Sequence, residues 1–345
     1  MEKDNDRADA ILDPTAPPSG RAEGGDEERP YALTIGAALA RATKELSAAG
    51  IPNARLDAEL LLAYVLAWER SNEDLVFRLR LRAERLEAIR EQRIYNLTHP
   101  EIALSEWGQR FGMFVRERIA GRPVAYWLEA MEFMGLQFYV NRHVLIPRPE
   151  TETLVEAAIE RLRDVEAPAI LDVGTGSGCI GLSLAVFRPQ AEVWALDVSA
   201  QALRVARKNA RWLNVRERFH WMRADFLELN SAFPILDAAG SVAPPFDAVV
   251  SNPPYVGWDE ADTLPLEILR EPAEAIFSGP DGFTMLDALL EKAGGLLKPG
   301  GLLLSEIGYT QSVEAARRAG AAGWRDVSVL PDLAGIPRVL VARAR

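Results

Sequence analysis

Ile170-Leu171-Asp172-Val173-Gly174-Thr175-Gly176-Ser177-Gly178 decides the fold of this chain. A short apolar run of strand length ends in a glycine-rich turn, and the apolar stretch Cys179 to Phe187 that follows predicts a helix. Strand, glycine turn and helix together make the opening unit of a doubly wound α/β sheet, with the turn letting backbone approach a ligand at the helix N-terminus. Downstream the alternation repeats. Glu192 to Leu196 reads as a second strand ending in Asp197, and Ser199 caps a helix through Asn209. Phe219 to Met222 is a third strand ending at Asp225-Phe226, and Phe246 to Val250 a fourth. A helix over Met285 to Leu297 leads through Pro299-Gly300-Gly301 into a fifth strand, Leu302 to Glu306. A helix through Ala319 and two closing strands, Arg325 to Leu330 and Arg338 to Ala342, finish the chain. The expected class is α/β, a mostly parallel doubly wound sheet.

In such a sheet the first and fourth strands are neighbours, and ligands bind at their carboxyl ends. One end carries Gly174 to Gly178. The other carries Ser251-Asn252-Pro253-Pro254-Tyr255. Two prolines fix the backbone there and push the residues before them into extended geometry, so the carbonyls are held in set directions beside the Asn252 amide. A planar NH2 group fits between two such acceptors, with Tyr255 as a flat face. The motif supplies no nucleophile and no strong base. Asp197 can accept both hydroxyls of a ribose, a feature shared by NAD and S-adenosylmethionine (SAM) sites. Asp225 offers an acceptor for an adenine amino group and Phe226 a face for its ring. Asp172, before the glycines, favours the cationic SAM over NAD. Cys179 reads as a small core residue.

Before the sheet, the organisation changes twice. Residues 1–30 carry nine acidic and four basic side chains, a net −5, with few large apolar residues, and are expected to be a disordered acidic tail. Residues 31–130 read as a small helical domain. Thr34 caps a helix carrying Ile35, Leu39 and Leu46 that stops at Gly50, and Leu56 to Leu66 is a buried helix. Leu75 to Ile94 is a charged one with Leu79, Leu81, Leu86 and Ile89 on one face, and Trp107 to Ile119 is a fourth. The arginines of this domain read as a solvated face. Residues 131–150 read as a β-hairpin and linker: Phe133 to Val140, a turn at Asn141-Arg142-His143, then Val144 to Ile146. The stiff Pro147-Arg148-Pro149-Glu150-Thr151-Glu152 leads into a helix starting near Thr151, so that residues 151–345 form the sheet domain.

The whole chain has 345 residues and net charge −11, which disfavours tracking a nucleic-acid backbone. A single cysteine excludes an internal disulfide, and three scattered histidines give no metal-ligand spacing, so no metal is expected. No apolar run reaches the roughly 18 residues of a membrane span. A cytoplasmic setting without membrane or direct nucleic-acid partners is the expectation.

These residues resemble the SAM-dependent methyltransferases of amide and amino nitrogens, whose sheet domain is the class I, Rossmann-like fold. The resemblance narrows with Arg122-Pro123-Val124-Ala125-Tyr126, Glu132 to Leu136, Leu145 to Glu152, Leu171 to Gly178, Ser251 to Tyr255, Glu271-Pro272, Gly279 to Gly282 and Pro299-Gly300-Gly301. Together they are similar to the PrmC/HemK family, which methylates the N5 side-chain amide of the glutamine in the Gly-Gly-Gln tripeptide of class I peptide chain release factors. Two departures stand out: Glu129 and Ser278 occupy positions where that family usually has glycine. The resemblance implies SAM contacts from Gly174, Thr175, Gly176, Ser177, Gly178, Asp197, Phe226 and Asn252, to which the reading of Asp225 as an adenine acceptor adds a further one. It implies catalysis and substrate binding by Asn252, Pro253, Pro254 and Tyr255, and docking of the release factor by Arg148 and the helical domain. A related family methylates glutamine in a large-subunit ribosomal protein, but Pro149-Glu150-Thr151 favours the release-factor enzyme. DNA adenine-N6 methyltransferases also use Asn-Pro-Pro-Tyr, and the acidic charge speaks against them.

Overall fold

The computed structural model describes residues 34–70, 82–104, 107–229, 237, 239–240 and 242–345. The acidic tail and the first part of the stretch from Leu75 to Ile94, with Leu79 and Leu81, lie outside the described residues. The chain divides into two compact units, one ending at Ala120 and the other running from Gly121 to Arg345.

In the first unit four helices are described: Ile35–Ala48, Ala54–Arg70, Arg82–Thr98 and Trp107–Ile119. The Thr34 hydroxyl accepts from the Ala37 amide at 3.3 Å, satisfying one of the orphan donors of the first turn. Leu39, Leu46, Leu61, Leu62 and Phe111 are fully buried between the helices. The arginines are not simply a solvated face. Arg118 is buried and donates to Asp57 at 2.7 Å, and Arg93 donates to Glu59 at 2.8 Å. A charge taken out of water needs a partner, and the helix Ala54–Arg70 provides both carboxylates.

The second unit holds a seven-stranded sheet in the order β5-β4-β3-β6-β7-β9-β8. Its strands are β3 (Ala169–Val173), β4 (Glu192–Asp197), β5 (Phe219–Arg223), β6 (Phe246–Ser251), β7 (Leu297–Glu306), β8 (Arg325–Pro331) and β9 (Pro337–Arg343). The strands from β5 to β7 in this order pair in parallel, and β9 joins β7 antiparallel, with β8 antiparallel beyond it. Strands β3 and β6 are buried on both faces, as a sheet sandwiched between helices requires. Leu171 and Val249 pack in one layer, Ile170, Ala248 and Val250 in the other.

The hairpin exists, but its turn is not where the sequence places it. Met131–Phe133 (β1) pairs antiparallel with Leu136–Phe138 (β2), and the chain reverses at Met134-Gly135. Both turn residues have positive φ, 53° and 69°, the mirror-image turn whose twist matches paired strands. Val144 to Ile146 is not a strand. Val144 and Ile146 instead bury themselves against Tyr126, Ala202 and Val205.

The connector is fastened by one side chain that the sequence does not announce. Asn209 is fully buried on the helix Ala200–Trp212. Its Oδ1 accepts from the Tyr139 amide at 2.7 Å, and its Nδ2 donates to the carbonyls of Tyr139 (3.0 Å) and Ser177 (2.8 Å). Asn209→Ala orphans three backbone groups at once, and we expect it to cost about 3 kcal/mol or more. A urea midpoint within experimental error of the parent would contradict this.

Candidate active site

Val173 of β3 pairs with Ser251 of β6, so Gly174 and Asn252 are the next residues out of two adjacent strands. The glycine turn and the Asn-Pro-Pro-Tyr turn therefore leave the sheet side by side. Between them opens a cavity of about 540 Å³, within the range of cofactor sites. Its wall includes Gly174, Thr175, Gly176 and Ser177, then Asp197, Asp225 and Phe226, and finally Asn252 and Pro254. Gly178, Pro253, Tyr255 and Arg148 are not part of the wall.

Gly174, Gly176 and Gly178 all have positive φ, 71°, 55° and 83°, a sequence of backbone states that L side chains rarely adopt. Gly178 caps the helix Cys179–Phe187, and a Cβ there would meet Leu182 Cδ1 at 2.6 Å. The turn is held from two sides by carboxylates. Asp172 is fully buried; its Oδ2 accepts from the Thr175 hydroxyl at 2.7 Å and the Gly181 amide at 3.1 Å. Burial pushes its pKa up to about 6. Asp172 thus braces the turn from beneath rather than presenting a carboxylate to a cation in the cavity. Asp197 holds the other side: Oδ2 accepts from the Gly176 amide and Oδ1 from the Ser199 amide, both at 2.8 Å. Burial raises its pKa, against those two amides. A carboxylate has about four acceptor sites, so two remain for hydroxyl groups. Ser199 also caps its helix as expected, accepting from Ala202 N at 3.3 Å.

Asp225 accepts from the Leu227 amide at 2.9 Å, and Phe226 is buried with its ring at the cavity. Cys179 is half-buried on the cavity wall, and desolvation pushes its thiol up to about 12, away from the thiolate that a nucleophile needs. Among the described residues no cluster of His, Cys, Asp or Glu suits a metal ion, and no helix is long and apolar enough to cross a membrane.

On the β6 side, Asn252 Nδ2 donates to the Thr151 hydroxyl at 3.1 Å. Thr151 in turn donates to Glu306 Oε2 at 2.5 Å, and the Tyr255 hydroxyl donates to Glu306 Oε1 at 3.3 Å. Asn252 Oδ1 and the Pro253 carbonyl accept no hydrogen bond from the described residues. Thr151 and Glu306 were not legible as site residues, because neither stands near Asn252 in sequence. Arg148 is ion-paired with Glu271, whose other oxygen accepts from the Ile146 amide at 2.8 Å. That pair fixes the path of the linker.

Both departures from the usual glycines sit in defined local settings. Glu129 ends the helix Val124–Leu128 in the left-handed region, at φ 51° and ψ 33°, the conformation glycine favours. Ser278 is buried, and its Oγ accepts from the Met285 amide at 2.9 Å.

The cavity meets the demands of an adenosyl cofactor: hydroxyl acceptors at Asp197, a flat apolar face at Phe226 and an acceptor at Asp225. Comparison with known proteins agrees. Residues 151–281 match the methyltransferase small domain, and residues 37–128 the PrmC N-terminal domain. The release factor glutamine methyltransferase of Moorella thermoacetica is 39% identical over 91% of this chain and 99% of its own length. That of Koribacter versatilis is 37% identical over 90% and 99%, and that of Deinococcus radiodurans 33% over 88% and 96%. With near-complete coverage of these relatives at such identity, the chain belongs to the family of release factor glutamine methyltransferases.

Proposed function

We propose that this protein methylates the side-chain amide nitrogen of a glutamine in class I peptide chain release factors, the glutamine of their Gly-Gly-Gln tripeptide, working in the cytoplasm. The observation that carries the reading is the pair of unfilled acceptors, Asn252 Oδ1 and the Pro253 carbonyl, at the end of β6 beside the cofactor cavity. A primary amide presents two N–H donors from one nitrogen, and two fixed acceptors take both. When bound, SAM supplies an electrophilic methyl group. Gly174 to Ser177, Asp197, Asp225 and Phe226 would hold it, with Gly178 shaping the turn and Asn252 at the junction of the two sites.

An amide nitrogen is a poor nucleophile because its lone pair is shared with the carbonyl. Acceptors on both N–H bonds raise its electron density and turn it toward the cavity. Pro254 keeps the turn rigid, and Tyr255 gives the amide plane a surface to pack on. Positioning of this kind is worth a large factor, with effective molarities of about 10⁵ M or more for well-oriented groups. No general base is assigned, since a methylated amide nitrogen loses its extra proton readily. Arg148 and the helical unit are the docking elements for the release factor.

The test is label transfer from methyl-labelled SAM in parallel tubes. One holds a class I release factor, a second the same factor with its Gly-Gly-Gln glutamine replaced by alanine, a third the large-subunit ribosomal protein, and a fourth duplex DNA. Label in the first alone is expected. Label in the ribosomal protein or the DNA, with the first tube blank, would overturn the substrate assignment.

A further inference from the structure

We infer that Glu306 is a positioning residue for methyl transfer: through the Thr151 hydroxyl it fixes which end of the Asn252 amide faces the substrate. The inference rests on the reading of Asn252 Oδ1 as an acceptor for the substrate amide.

The argument is one of proton accounting. An ionised carboxylate only accepts hydrogen bonds. Glu306 Oε2 therefore takes the single hydroxyl proton of Thr151, at 2.5 Å. With that proton spent, Thr151 Oγ1 can only accept, and the group it meets at 3.1 Å must be the NH2 end of Asn252. The carbonyl end is then left for the substrate, which is the polarity that an incoming amide N–H requires. An asparagine amide has nearly the same shape when flipped, so packing alone does not choose between its two orientations. The relay does.

Protonating Glu306 removes the bias. A carboxylic acid can donate to Thr151 Oγ1, which frees the hydroxyl proton to point at Asn252. The asparagine then turns its oxygen toward Thr151 and presents NH2 to the substrate, donor against donor. The groups facing Glu306 are Thr151, Tyr255, Arg338 and Glu150, with the Cys179 thiol close enough to feel its charge. Burial is the largest influence and raises its pKa to about 7, while Thr151, Arg338 and Tyr255 act to lower it. The switch in polarity therefore falls near neutrality, with the active polarity on the alkaline side.

Three measurements decide the matter, all on the full chain with SAM and a release factor at saturation. In the parent, kcat should rise with pH through about 7; a flat profile from pH 6 to 8 overturns the inference. Glu306→Gln should lose that rise, and retention of the parent profile overturns it. Thr151→Val should lower kcat about 10- to 100-fold, as expected when a reacting group is misdirected, and change the SAM affinity measured by calorimetry far less, although Thr151 lies on the cavity wall. Thr151→Ser, which keeps the hydroxyl, should restore kcat to within about threefold. Should Thr151→Val fail to bind SAM, the two pH profiles still decide. Asn252→Ala separates the two readings. Full turnover in that variant overturns the role of Asn252 itself, whereas an inactive Asn252→Ala beside a fully active Thr151→Val overturns the relay alone.

Discussion

Asn252→Ala is expected to lower kcat for release-factor methylation by about 10²- to 10³-fold, the usual effect of deleting one preorganised acceptor or donor at a reacting group. The expectation follows from how the residue is held. Asn252 leaves β6 one residue beyond Ser251, which pairs with Val173 and whose hydroxyl donates to the Val173 carbonyl at 2.8 Å. Its backbone is fixed by the prolines that follow, and its Nδ2 is tied to Thr151. The acceptor is thus in place before substrate arrives, at no cost in ordering during the reaction. Alanine removes it and leaves the Pro253 carbonyl as a single anchor about which the substrate amide can swing. Cofactor affinity should change far less, because Asp197, Phe226 and the glycine turn are untouched. Single-turnover label transfer together with calorimetry of SAM binding separates the two effects. Near-parental turnover at full cofactor occupancy would remove Asn252 from the catalytic role.

That Asn252 can be argued from at all shows how much of this site is written locally in the sequence. Strand, turn and helix from Ile170 to Phe187 follow from an apolar run, positive-φ glycines and a helix start, all within one stretch. The adjacency of Gly174 and Asn252 follows from the topology of repeated β-α units, without any side chain being placed. The hairpin shows the opposite case. Asn141-Arg142-His143 does turn, the Val144 amide donating to the Asn141 carbonyl at 3.1 Å, but the hairpin reverses at Met134-Gly135, because two positive φ values suit the strand twist and Gly135 bears one of them without strain. Burial of Val144 and Ile146 against the helix Ala200–Trp212 then wins over strand pairing. The relay was illegible for another reason. Thr151 and Glu306 are 155 residues apart, and a hydroxyl at the start of one helix says nothing about a carboxylate at the end of β7 until the fold brings them together. Asp172 shows the limit of reading charge from position. A carboxylate just before a glycine turn looks like a partner for a cation, yet alternation along β3 turns it away from the cavity, and it serves the Thr175 hydroxyl and the Gly181 amide instead.

The second large effect concerns the cofactor rather than the reaction. Asp197→Ala is expected to weaken SAM binding about 100-fold, or roughly 2.8 kcal/mol at 1.4 kcal/mol per decade. Two losses combine. The acceptors for the ribose hydroxyls disappear, and the amides of Gly176 and Ser199, each 2.8 Å from a carboxylate oxygen, lose their partner. Bonds to a charged acceptor contribute about 1.5–3 kcal/mol each, so the turn loosens even before ligand is added. Asp197→Asn is not a mild version of the change. The two amides approach different oxygens, so an asparagine must set its NH2 against one of them, and it should lose most of the affinity as well. Burial raises the pKa of Asp197, so SAM affinity should fall on acidification at a higher pH than an ordinary aspartate would cause. In thermal melts, the parent gains stability from SAM by mass action, about 2.7 kcal/mol at a ligand concentration of 100 Kd, and the variants should gain far less at that concentration. Once cofactor is raised to saturation, kcat should recover to near the parent, because Asn252 and Pro253 still hold the amide. This separates the residue that binds from the residue that orients: Asp197→Ala is rescued by more cofactor and Asn252→Ala is not. A parental Kd for SAM in Asp197→Ala would break that division and move the ribose contact elsewhere in the cavity.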